Sequence, residues 1–69
     1  MRRLRLWFAE HDVQILEEGP DGGRIYVFRL RLPSGAIQRM DLHLDVLELD
    51  PEAVIRGAFE PMLEYKRLA

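Results

Sequence analysis

The stretch Arg24-Ile25-Tyr26-Val27-Phe28-Arg29-Leu30-Arg31-Leu32, followed by Pro33-Ser34-Gly35 and then Ala36-Ile37-Gln38-Arg39-Met40-Asp41-Leu42-His43-Leu44-Asp45-Val46, decides the fold. Both runs alternate. In the first, Tyr26, Phe28, Leu30 and Leu32 share one face, and Ile25, Val27, Arg29 and Arg31 share the other. In the second, Met40, Leu42, Leu44 and Val46 face one way, and Arg39, Asp41, His43 and Asp45 the other. A period of two marks strands with one buried side. Pro-Ser-Gly suits a three-residue hairpin loop, because Pro presets φ and Gly accepts a left-handed backbone. That loop pairs Leu32 with Ala36 and Phe28 with Met40. Both apolar sets then lie on one side of the sheet.

Working outward, Val13 to Glu18 reads as a further strand, joined to Arg24 by the turn cluster Gly19-Pro20-Asp21-Gly22-Gly23. The cluster is glycine-rich but lacks the Lys-Ser/Thr ending and the following helix of a phosphate-binding loop. Residues 2–9 carry two patterns. As a strand, Leu4, Leu6 and Phe8 oppose Arg3, Arg5 and Trp7. As a helix, Leu4, Trp7, Phe8 and His11 form a stripe that leaves Leu6 out, with no N-cap before it. The strand is preferred on that ground.

The C-terminal segment reads as a helix. Asp50 suits the N-cap, Pro51 the first turn and Glu52 the positive end of the dipole. Ile55, Ala58, Phe59 and Met62 follow helical spacing, with Tyr65 or Lys66 beyond them. Pro61 opposes the carbonyl of Gly57 and predicts a kink near Phe59–Glu60. Lys66 and Arg67 belong at the negative end of the dipole.

The expected fold is therefore α+β: one small domain over residues 1–69, with an antiparallel meander of three or four strands and a C-terminal helix on one face. If residues 2–11 are helical, the order becomes α-β-β-β-α. That order resembles the double-stranded-RNA-binding domain and the toxin folds built on it. The resemblance lies in element order. The basic residues that family carries at its second helix are not matched by 51–65, which hold Glu52, Glu60 and Glu64 against Arg56.

Composition narrows the chemistry. The 69 residues include no Cys, Asn or Thr and a single Ser, Ser34. Disulfides and thiolate chemistry are excluded, and the nucleophiles reduce to Ser34, Lys66, Tyr26 and Tyr65. No apolar run approaches a membrane span of about 18 residues, and the basic N-terminus lacks a signal-peptide apolar region. A cytoplasmic protein that does not engage a membrane is expected. The net charge of −2 divides unevenly, since residues 1–39 carry seven arginines and five acids and residues 40–69 three bases and seven acids.

Asp41-x-His43-x-Asp45 sets an imidazole between two carboxylates on one strand face. Along a strand, positions i and i+2 lie about 6.5–7 Å apart, wide for one ion, and further ligands would have to come from His11 or Glu17. No metal, cofactor or catalytic role is assigned to it. The outward sheet face is the better candidate. It combines Arg29, Arg31 and Arg39 with Ile25, Val27 and Ile37, and a strand at the N-terminus adds Arg3, Arg5 and Trp7. Arginine mixed with aliphatic and aromatic side chains is the composition of interface cores. The expectation is a non-enzymatic binding module, an accessory, regulatory or inhibitor protein, that presents this face or a sheet edge to a larger protein. The leucines at 42, 44, 47 and 49 also favour pairing with itself as a homodimer. The alternative is nucleic acid held by Arg29, Arg31, Arg39 and the N-terminal arginines, with Trp7 as the one stacking platform.

Overall fold

A computed structural model describes residues 1–68, with side chains through Glu64. The chain runs α1 (Arg2–Glu10), β1 (Gln14–Pro20), β2 (Ile25–Arg31), β3 (Ile37–His43), α2 (Leu44–Leu49), α3 (Pro51–Val54), a π turn (Ile55–Phe59) and α4 (Glu60–Leu68). The strands form one antiparallel sheet in the order β1-β2-β3. The fold is α+β, and its leading order is the α-β-β-β-α alternative. Lys66, Arg67 and Tyr65 have side chains outside the described residues. Among the described residues no helix is long and apolar enough to cross a membrane.

The central hairpin has the expected register. Phe28 pairs with Met40, and the Leu32 N–H donates to the Ala36 carbonyl at 2.8 Å. Gly35 takes φ 93°, the left-handed conformation that its position in the loop requires. Phe28, Leu30 and Leu32 are buried, whereas Arg29, Arg31, Ile37 and Arg39 are exposed on the other side.

Three features differ from the sequence reading. Gly19 and Pro20, expected in the turn, extend β1 and pair with Val27 and Tyr26. The N-terminal segment is helix, not strand. Leu4, Trp7 and Phe8 are buried at helical spacing, and Leu6, the residue outside that stripe, is exposed. No side chain caps the start of α1. Packing of its apolar stripe supplies what capping does not. The second hairpin strand also stops early, at His43. The Leu44 N–H still donates to the Arg24 carbonyl at 2.7 Å, and then the backbone turns helical. Helical spacing brings Leu44 and Leu47 to the core and turns Val46 and Leu49 outward, so the leucine run is split between inside and outside.

The C-terminal helix starts as expected, with the Asp50 carboxylate accepting from the Ala53 N–H at 3.1 Å and Pro51 in the first turn. Its irregularity lies just before Pro61. The Glu60 N–H bonds the Ile55 carbonyl, five residues back, in a π turn. A wide turn of this kind interrupts the regular ladder of the helix. Ile55, Phe59 and Met62 are buried.

The end of α1 forms a Schellman cap. The Val13 N–H reaches the Phe8 carbonyl at 2.9 Å, the Asp12 N–H reaches the Ala9 carbonyl at 3.4 Å, and Asp12 has φ 56°. Val13 and Phe8, which this motif brings together, are both buried. Glycine is the usual residue at such a position because a Cβ is strained there. Asp12→Gly is therefore expected to stabilise the domain by about 0.5–1 kcal/mol, and Asp12→Ala to destabilise it, read as opposite shifts in Tm by thermal denaturation.

Candidate binding surface

All the helices contribute their buried residues to the core that Phe28 and Leu30 enter from one side of the sheet. The opposite side carries Ile25, Val27, Arg29 and Arg31 from β2 and Ile37, Arg39, Asp41 and His43 from β3. From β1 it takes Gln14, Glu17 and Gly19, which pair with Arg31, Arg29 and Val27. A bulge between Ile15 and Glu17 lets both Ile15, opposite Leu30, and Glu17, opposite Arg29, keep their proper faces.

Arg29 and Arg39 stand directly opposite one another on β2 and β3. Two like charges in that relation repel, so each is held by a carboxylate. Arg29 pairs with Glu17 at 3.0 Å, and Arg39 pairs with Asp41 at 2.8 Å and Asp21 at 3.4 Å. The hydrogen bond and charge of Asp41 hold the Arg39 guanidinium above its ordinary pKa, with Asp21 adding to the effect. Exposed pairs of this kind add little stability. What they set is a charge pattern, with acids at the β1 side and along β3, and arginines between. Arg31 differs, since its nearest polar contact among the described residues is Gln14 at 3.5 Å, with no carboxylate in ion-pair reach. Between Glu17, Asp21, Val27, Arg29 and Arg39 lies an open groove of about 270 Å³.

The residues expected on this face from the N-terminus are elsewhere. Trp7 is buried, stacked on His11 with ring centroids 4.2 Å apart and in contact with Phe59. Arg3 pairs with Glu52 of α3, and also lies 3.8 Å from Glu10. Arg5 makes a two-pronged contact with Glu18 of β1. These arginines clamp α1 to its neighbours. The reason is the helical conformation of 2–10, which sends Trp7 into the core and Arg3 and Arg5 along its flanks.

The His43 motif is not assembled either. Asp45 has left the strand for α2, where Arg24 pairs with it, and Asp41 is engaged by Arg39. Among the described residues no group of three His, Asp or Glu side chains is placed to hold a metal ion. Glu17 and Asp21 are the contributors to the face that pattern reading missed. Glu17 is shifted onto it by the bulge, and Asp21 reaches it from a loop. Neither event has a periodic signal.

Models of protein families, curated proteins and solved structures were compared with this chain, and none matches.

Glu18 accepts from Arg5 and, at 3.1 Å, from the Tyr26 hydroxyl. The Arg5 hydrogen bond outweighs partial burial and holds the Glu18 carboxyl below its ordinary value, while burial, with the Glu18 contact next, pushes the Tyr26 hydroxyl up. A carboxyl lowered by folding contributes stability that is full above its unfolded pKa and is lost as pH falls through the folded value. Glu18→Gln is expected to lower Tm at pH 7 and to flatten the fall of Tm on acidification below about pH 4.5, as followed by circular dichroism.

Proposed function

We propose that the chain is a non-enzymatic protein-binding module, a small cytoplasmic accessory or regulatory protein whose outer sheet face docks on a larger protein. The observation that carries this reading is the one-sidedness of the fold. The helices cover one face of the sheet and leave Ile25, Val27, Ile37, Arg29, Arg31 and Arg39 together on the other. Aliphatic groups between arginines make a surface that gains from being covered, since arginine stems pack while the guanidinium groups bond to carboxylates or carbonyls. Arg31 is the guanidinium with most bonding capacity to spare, because Arg29 and Arg39 already have acidic partners.

Nucleic acid fits the same face less well. The ring expected to stack on bases, Trp7, is in the core, and Tyr26 and Phe28 point to the helix side. Carboxylates already neutralise two of the three arginines.

The test is the charge reversal Arg29→Glu with Arg31→Glu. Both side chains are exposed, so the variant is expected to keep the wild-type circular dichroism spectrum. In an affinity capture from host lysate, partner recovery is expected to drop at least about tenfold, unaffected by nuclease. Unchanged recovery with the double variant would sink the reading. Recovery that vanishes on nuclease treatment would replace it with nucleic-acid binding.

A further inference from the structure

We infer that β3 is a self-pairing edge, and that two copies of this chain join there into a continuous antiparallel sheet. This edge is distinct from the outer face of the sheet, although Arg39 belongs to both.

The sheet order β1-β2-β3 leaves two edges, and the chain treats them differently. β1 carries a bulge after Ile15, and Pro20 stands opposite Tyr26, where its backbone is turned away from β2 and offers no N–H. Bulges and edge prolines both discourage a further strand. β3 has neither. It is a regular strand from Ile37 to His43 with unbroken pairing to β2.

The direction of its backbone groups follows from its ends. Ala36 accepts from the Leu32 N–H, and the Leu44 N–H donates to Arg24. The residues in step with these, Gln38, Met40 and Leu42, therefore turn their N–H and C=O groups to β2. Ile37, Arg39, Asp41 and His43 turn theirs to the open edge. Among the described residues, the one side-chain group bonded to that edge is the Gln38 Nε2, which donates to the Arg39 carbonyl at 3.2 Å.

A second β3 must match outward-facing residues with outward-facing residues, so two-fold antiparallel registers differ in steps of two. One such register sets Arg39 on Arg39 of the other copy. Another sets Asp41 on Asp41. The register between them, centred on Met40, sets Arg39 on Asp41 and Asp41 on Arg39, with Ile37 against His43 at each end. It is the one in which every charged position meets its opposite. Arg39 and Asp41 are ion-paired within the chain at 2.8 Å, so in this register the two arginines and two aspartates share one cluster. On the helix side the same register brings Met40 to Met40 and Gln38 to Leu42, covering side chains at the margin of the core. Ile37, Val46 and Leu49, three of the exposed large apolar residues, all lie in or just after β3.

The experiment uses two single variants of the full chain, Arg39→Asp and Asp41→Arg. Each places like charges opposite one another in the paired edge, yet their surfaces complement each other. Analytical ultracentrifugation is run from micromolar to about 1 mM. Wild type is expected to show a concentration-dependent species of twice the chain mass. Each variant alone is expected to dimerise at least about tenfold more weakly, with its circular dichroism spectrum unchanged. An equal mixture of the two is expected to recover the wild-type dimer as a heterodimer. A wild type that stays monomeric overturns the inference, leaves the edge to the strand of another protein and leaves the outer-face reading untouched. Variants that dimerise as well as wild type, or a mixture that does not recover, overturn this register.

Discussion

The packing of Phe8, Phe28 and Phe59 holds the domain together. Phe8 comes from α1, Phe28 from the central strand and Phe59 from the C-terminal helical segment. Their ring centroids lie 5.5 Å apart for Phe8 and Phe28, 5.0 Å for Phe8 and Phe59, and 6.1 Å for Phe28 and Phe59. All three pairs are close to edge-on, the arrangement that aromatic quadrupoles favour. In a chain of 69 residues, whose single core is small, these three rings are the largest fully buried side chains. The strands alone would leave Phe28 and Leu30 in water, and α1 alone would be too short to persist. Each element is stable because the other two cover it.

That dependence has a consequence for the rest of the molecule. Most of the apolar mass is committed to one side of the sheet, so the opposite side carries a few aliphatic side chains among charged ones held in a pattern. It also leaves edges, because a three-stranded sheet neither closes nor has enough helix to sheathe both flanks. The surfaces open to a partner are thus set by where the core is. Arg3 and Arg5 of α1, which look like part of a basic surface in the sequence, pair instead with Glu52 and Glu18 of neighbouring elements.

The hairpin was legible in the sequence because its information is local. Alternation from Ile25 to Leu32 and from Ile37 to Leu42, with Pro33-Ser34-Gly35 between, specifies faces, register and turn together. The start of the C-terminal helix was legible for the same reason, since Asp50 and Pro51 act within one turn. Residues 2–9 were not, because Leu4, Phe8 and the arginines satisfy a period of two nearly as well as a helical one, and no capping residue breaks the tie. The end of β3 was equally hidden. Leu42, Leu44 and Val46 continue the alternation, while Leu44 and Leu47 satisfy a helix.

By itself, then, the sequence determined the central hairpin, the side of it that is buried, the start of the last helix and the residue types available on the outer face. These follow from backbone sterics, side-chain periodicity and capping, which act over a few residues. Tertiary structure decided the rest: that residues 2–10 are helical, that Trp7 is core and not surface, that β3 yields to α2 after His43, and that Glu17 and Asp21 join the arginines. Residues 2–9 and 44–46 each fit two local patterns. The choice was made by burial against Phe28 and Phe59, or by a charge arriving from a distant element, and neither is written in the neighbouring residues.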